Sequence, residues 1–363
     1  MKVLMISTDN TLLGQAGIGD AVSRHQQYAQ QVERLDILVL TKGLKQPNQI
    51  APNCQVVPLN FWGHRKKSQK FYEKYHYDLI VCQDPFITGS LGVQLKKKFG
   101  PKLIIHFHGD FLDNPYWLQE NFRHRVYKKM AEKTIYQADS IRVVSEGIKQ
   151  KLIKRGVAEH NIYKISTPVN LVKFETEPTN EPRSKKIVLT VSRIVKSKDF
   201  PTLVKTANQV YQSVPDFEWQ IIGDGPLLRK FQSATKHQPY LKWLGRIDHD
   251  QLVNYYRQAT VLVLTSTNES FGKVFLEAAM SRLPAVSTDT VGAQEIIFDG
   301  ESGYLVSIGD WQSLAERIVY FLKNQSVAKN FGQRAYEIVK ANFDYAKNIE
   351  LIIQMWRQTV GGQ

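Results

Sequence analysis

The chain has 363 residues, 42% of them hydrophobic and 23% charged, with a formal net charge of +14. That length allows two α/β domains with separate cores, and the ordinary globular composition excludes a disordered or fibrous chain. No run approaches the eighteen or so apolar residues of a membrane helix.

The opening MKVLMIS passes straight into polar DNTLLGQ, too short an apolar stretch for a signal peptide, and reads as a first buried strand. Cys54 and Cys82 make no metal-ligand spacing and point to a reducing compartment. The expected place is the cytoplasm, at most peripheral on the inner face of the membrane. The charge is lopsided: residues 1–170 hold 25 Lys and Arg against 14 Asp and Glu, and residues 171–363 hold 23 against 20. Clusters at 64–70, 96–102, 123–129 and 149–155 carry the excess and suggest an anionic partner for the first half, either a lipid surface or a polyanion. The exposed-looking aromatics Phe61, Trp62, Tyr116 and Trp117 beside them favour reversible docking on an anionic membrane. Solvated helix faces are the plainer reading of any single cluster.

Short apolar runs alternate with helical patterns throughout, as in βαβ units with parallel sheets. The first strand, 3–7, is followed by the loop GQAGIGD over 14–20. It lacks the third glycine of a dinucleotide fingerprint, so Gly17 reads as part of a loop admitting phosphate or acceptor rather than NAD. A helix is expected over 18–33, then strands over 35–40, 55–58, 79–82 and 103–107. The last of these ends in His106-Phe-His108-Gly-Asp110, a polar cluster at a strand carboxyl end. A helix over 116–137 and a strand over 141–144 complete this half. The stretch 167–184, rich in Pro, Thr, Glu and Asn, reads as an interdomain linker.

The second half restarts with a strand over 186–191, and Arg193 and Lys198 follow it. An Arg fork and a Lys point charge at a strand carboxyl end suit a diphosphate leaving group. After the strand 219–222, Gly223-Asp-Gly-Pro makes a tight turn, read as structural before catalytic. After 241–243, Arg246 is placed to line a base pocket. The strand 261–264 leads into TSTNESFGKVFLEAAMSRLP, the most informative stretch of the chain. Glu269 lies in its loop, a helix is expected from Phe271, and Gly272 and Lys273 fall in the first turn with Glu277 further along. Free amides at a helix start form an anion site, and two carboxylates beside it suit sugar and ribose hydroxyls. A strand over 285–287 and an amphipathic helix over 345–358, which could cover the second domain or cross back to the first, close the pattern.

In order and spacing, these residues resemble glycosyltransferase family 4, and the segment ESFGKVFLEA is the most specific part of the likeness. The resemblance implies the GT-B fold: two Rossmann-like α/β domains facing a cleft, here residues 1–166 and 185–342, joined by 167–184, with residues 343–363 packing back on the first. It implies a retaining, metal-independent transfer of a hexose-type sugar from a nucleotide-diphosphate sugar to a hydroxyl of a glycan or lipid-linked acceptor, with no cofactor. By that likeness Arg193 and Lys198 hold the diphosphate, and Glu277 holds the ribose. Glu269 holds the donor sugar with the Phe271 and Gly272 amides. His108 reaches that sugar from the facing domain, and Gly17 lines the phosphate loop. Three positions depart from the family pattern: Ala16-Gly17 for Gly-Gly, Lys273 for an aliphatic residue, and Val191-Ser192 for Val-Gly. A nucleotide-sugar epimerase on the same architecture is the alternative. It is told apart by whether free nucleotide diphosphate forms only when acceptor is present. The basic charge also raises nucleic-acid binding, but the clusters lack interleaved aromatics and no nucleic-acid-binding signature occurs.

Overall fold

The computed structural model describes residues 1–14, 20–43, 45–60, 63–177 and 185–361. Gly17, Phe61 and Trp62 lie outside them. The chain forms two compact units. The first comprises Met1–Asp113, Asn121–Pro168 and Tyr345–Gln363, and the second Asn114–Glu120 and Val169–Asp344.

The first unit is built on β1 (Lys2–Ser7), β2 (Arg34–Thr41), β3 (Asn48–Ala51), β4 (Cys54–Asn60), β5 (Leu79–Cys82), β6 (Lys102–Phe107), β7 (Ser140–Val143) and β8 (Ile162–Lys164). They line up as β3-β4-β2-β1-β5-β6-β7-β8, parallel except for β3 against β4. Parallel strands are covered on both faces and therefore read as unbroken apolar runs. The sequence LIVC of β5 is buried at every residue, as are five of six in KVLMIS.

The second unit holds β9 (Lys186–Val191), β10 (Phe217–Ile222), β11 (Leu241–Gly245), β12 (Val261–Leu264), β13 (Ala285–Thr288) and β14 (Gly303–Val306). Their order is β11-β10-β9-β12-β13-β14, all parallel. Every strand expected from the sequence is present. Three were not expected: β3, β8 and β14, short elements of three or four residues in which one-sided burial leaves little periodicity.

The helix expected over 116–137 is broken. Pro115–Glu120 and Arg123–Thr134 are separate helices, and Ile135–Gln137 is a 3-10 turn. Two asparagines account for the break: Asn114 Oδ1 accepts from the Trp117 amide at 3.1 Å and Asn121 Oδ1 from the Arg123 amide at 3.0 Å, so each piece has its own start. The first piece also belongs to the second unit, where Asn114 Nδ2 donates to Asn268 Oδ1 at 3.2 Å. Cys54 and Cys82 are buried free thiols.

The last helix, Tyr345–Gly361, returns to the first unit. Trp356 is fully buried there, its ring 5.4 Å from that of Tyr28, and Thr359 shares a 2.8 Å hydroxyl contact with Ser140. Ile352, Ile353 and Met355 join the same core as β1 and β2. Trp356→Ala is expected to cost the first unit about 3–5 kcal/mol. Chemical denaturation should read this as a lower midpoint, and an unchanged midpoint would show that the returning helix is dispensable.

Candidate active site

In the second sheet the strand order reverses at β9, which lies between β10 and β12. Open α/β sheets bind ligands beyond the carboxyl ends of strands at such a point. The loops after β9 and β12 meet there. Thr265 Oγ1 donates to the Lys198 carbonyl at 2.7 Å, and the Thr267 amide donates to the Ser197 carbonyl at 2.8 Å. Lys198 ends a 3-10 turn, and Asp199 follows it in the left-handed region at φ 44°. The Asp199 carboxylate accepts from Thr202 Oγ1 at 2.7 Å and starts the helix Phe200–Ser213. The ammonium of Lys198 is thereby placed beside Glu269, with which it forms a close ion pair; each side chain is 18% exposed. Arg193 lies on the same loop, exposed, and its guanidinium has no partner among the described residues.

Gly223 braces this loop. Its amide donates to the Gly245 carbonyl at 2.7 Å, and at φ 142° a Cβ there would run into the Ser192 carbonyl. The Ile194 amide then reaches the Asp224 carbonyl at 2.9 Å. Gly223, also a candidate donor contact, thus holds the Arg193 loop in place by its backbone.

The helix expected from Phe271 begins two residues later, at Lys273, and runs to Met280. Gly272 precedes it at φ 72°, a conformation costly for any residue with a Cβ, and so stands outside the first turn. The close approach continues on the far side, where a Cβ on Gly292 would strike the Phe271 amide. The Phe271 and Gly272 amides have no acceptor among the described residues. Phe271 itself is buried, 6.1 Å from the Phe343 ring, and Lys273 is exposed. Arg246 is exposed just past β11.

Glu277 is 4% exposed, and both its oxygens are held: Oε1 lies 2.9 Å from His249 Nε2, and Oε2 accepts from Tyr256 OH at 2.8 Å. Neither partner was anticipated. They lie 28 and 21 residues away in sequence, in a polar loop and a short helix without motif.

In the first unit, His108 follows β6. Its Nε2 lies 2.9 Å from Gln83 Oε1, which follows β5, and its ring is 5.4 Å from that of His106. Asp110 receives two 2.8 Å contacts from Lys151 and is nearly buried, which makes it a structural anchor within the His-Gly-Asp turn. Behind His108, Arg142 is buried and donates to the carbonyls of Ile165 at 3.1 Å and Ser166 at 2.8 Å. Burial lowers its pKa to about 10, which leaves it charged at neutral pH. Burial first, then Arg142 and His108, push His106 well below the usual histidine range, so its ring is neutral.

With this geometry in view, comparison with known proteins is direct. The family model of glycosyl transferases group 1 matches residues 172–338, and that of glycosyltransferase family 4 matches residues 27–173. An uncharacterized glycosyltransferase of Methanocaldococcus jannaschii is 26% identical over 277 residues, covering 76% of this chain and 74% of that protein. The alpha-monoglucosyldiacylglycerol synthase of Acholeplasma laidlawii is 23% identical over 310 residues, 79% of this chain and 77% of the other. Among solved structures, sucrose-phosphate synthase from Thermosynechococcus elongatus superposes with a TM-score of 0.84 at 20% identity over all of both chains. Anabaena HepE, solved in complex with UDP-glucose, gives 0.78 at 19% identity over 99% of this chain and 100% of that one. The chain belongs to the glycosyltransferases of the family 4 type, built on the GT-B fold.

Proposed function

We propose that this glycosyltransferase is a retaining enzyme that moves a hexose-type sugar from a nucleotide-diphosphate sugar to a hydroxyl of a lipid-linked, polysaccharide or glycoconjugate precursor. The observation that carries the reading is the meeting of the β9 and β12 loops, which sets Lys198 against Glu269 beside the amides of Phe271 and Gly272. The likeness to a protein solved with UDP-glucose supports a nucleotide-sugar donor. The likeness to a synthase of glucosyldiacylglycerol favours a lipid acceptor.

In this reading Arg193 and Lys198 take the charge that develops on the departing diphosphate, and a phosphate oxygen takes the acceptor's proton. The anion draws Lys198 toward itself and frees Glu269 to accept from hydroxyls of the transferred sugar. Two fixed cations supply the neutralisation that a divalent metal would otherwise bring. His108 adds a contact to the donor sugar, and Arg246 stands by the base. Arg193→Ala should lower kcat/KM about a hundredfold, equivalent to roughly 3 kcal/mol of transition-state stabilisation. Turnover of the unmodified enzyme should persist in excess EDTA. Near-normal turnover of the folded variant removes Arg193 from the site, and EDTA-sensitive activity restored by Mg²⁺ removes the metal-free mechanism.

Glu277 and Glu269 should separate in calorimetry. Glu277→Gln weakens binding of the bare nucleotide diphosphate, whereas Glu269→Gln spares it and damages sugar transfer. Equal loss of nucleotide affinity in both variants contradicts this division.

The first unit is proposed to dock on an anionic membrane, and the structure changes which residues would carry that contact. Trp117 is buried at 6% exposure and offers no anchor. Many cluster cations are paired within the unit: Lys96 with Asp139, Lys98 with Glu73, Lys149 with Glu159, Lys151 with Asp110 and Arg155 with Asp113. The helix Arg123–Thr134 presents a different face. Phe122 is 78% and Val126 56% exposed, one turn apart, and Lys129 and Lys133 are exposed on the same side. Apolar tips ringed by cations suit the interface of an anionic bilayer, each cation contributing roughly 1 kcal/mol. Sedimentation with phosphatidylglycerol-rich liposomes should rise with anionic fraction, fall with salt, and weaken in Phe122→Asp and in Lys129→Ser/Lys133→Ser. Protein that stays in the supernatant at low salt defeats the docking proposal and leaves sugar transfer standing.

A further inference from the structure

Glu277 stands out because a buried carboxylate has each of its two oxygens engaged by a group on a separate element. His249 opens the 3-10 turn His249–Gln251, and Tyr256 lies on the helix Leu252–Gln258. His249 Nε2, carrying its proton, approaches Oε1 at 2.9 Å, and Tyr256 OH donates to Oε2 at 2.8 Å. Burial, with the charge of Glu277 beside it, pushes the Tyr256 phenol well above the usual tyrosine range, so it remains a donor.

Phe174 backs both donors. It is fully buried and meets His249 edge-on at 5.1 Å and Tyr256 edge-on at 5.7 Å. Its carbonyl accepts from Ser281 Oγ at 3.0 Å, just past the end of the helix that carries Glu277. Neither His249 nor Tyr256 can swing away without breaking this packing, so the plane of the carboxylate is fixed.

A carboxylate oxygen has two lone pairs, and each oxygen of Glu277 has one of them engaged by a protein donor. That leaves one lone pair on each oxygen, in a plane held by the two donors, and two such acceptors suit two neighbouring hydroxyls better than one. We infer that His249 and Tyr256 are positioning residues which, through Glu277, set the preference of this enzyme for a nucleotide with an intact ribose 2′,3′-diol. The inference rests on the reading of Glu277 as the ribose contact. It adds what orients that contact and the selectivity that follows.

Calorimetry with UDP and GDP, each against its 2′-deoxy analogue, tests it on the whole protein. Tyr256→Phe and His249→Ala should bind the ribonucleotide about three- to tenfold more weakly and narrow the ribo-to-deoxy ratio, as expected for loss of a hydrogen bond to a charged group. His249→Gln, which returns an N–H to the place of Nε2, should recover most of the loss. At saturating donor kcat should stay within about twofold, and Tyr256→Phe should add nothing to Glu277→Ala, since a residue acting through another is silent once that other is gone. A ribo-to-deoxy ratio unchanged in folded Tyr256→Phe and His249→Ala overturns the inference. So does a loss that adds fully to that of Glu277→Ala, which marks general loosening of the fold. If neither UDP nor GDP binds the unmodified protein, the donor reading falls and takes this inference with it. If one binds and only the variants behave as wild type, the donor reading survives alone.

Discussion

A parallel strand must be covered on both faces, and every other feature of this protein follows from that constraint. Apart from the antiparallel β3, successive strands within each unit are joined by crossovers that return to the same end of the sheet, so the loops after the parallel strands gather at the carboxyl edge. Where the order reverses, at β9 in the second unit, the loops after β9 and β12 come together at the edge where open α/β sheets bind ligands. The residues after β9 and β12 need not be near in sequence to meet. Lys198 and Glu269 stand 71 residues apart and still pair.

The pair itself is a compromise. With each side chain 18% exposed, it is too desolvated for either charge to stand comfortably alone and too open to be a core contact. An anion arriving beside Lys198 exchanges one partner for another and loses little charge stabilisation. That suits a ligand with a diphosphate next to a polyhydroxyl ring, because the carboxylate released from the lysine still finds donors to accept from. Glu277, by contrast, is held by His249 and Tyr256, donors that need not move when a ligand binds, which suits the ribose contact proposed for it.

The first unit uses its buried charge differently. Arg142 has no carboxylate partner within hydrogen-bond reach among the described residues; it is satisfied by the carbonyls of Ile165 and Ser166. Arg24 does likewise with the Pro168 carbonyl at 3.3 Å, and its other partner is Asp20 at 3.0 Å. Two cations thus hold the last residues of the first unit before the chain enters the second. A buried charge held by backbone carbonyls is costly to misplace, so this exit is firmly defined. Hydrophobic contact does the same for the returning helix through Trp356 and Tyr28.

Much of this was legible in the amino-acid sequence by itself. Buried parallel strands announce themselves as apolar runs, and all eleven expected positions hold strands. Arg193 and Lys198 after one strand and the segment 269–277 after another were placed at the carboxyl edge from the sequence, and the fold puts them there. The last helix showed in its apolar spacing, which did not say which unit it covers. What lay beyond reach was decided by contacts between distant residues. The start of the helix after Gly272 depends on a left-handed turn pressed against Gly292. The break between Glu120 and Arg123 depends on side-chain capping by Asn114 and Asn121 and on packing in the second unit. Trp117 reads as an exposed aromatic in the sequence and is buried in the fold. Two of the four basic clusters, 96–102 and 149–155, are largely paired with acids elsewhere in the first unit. The partners of Glu277 sit in segments whose local pattern says nothing of a site. Periodicity records which face of an element is covered; only tertiary packing decides what covers it.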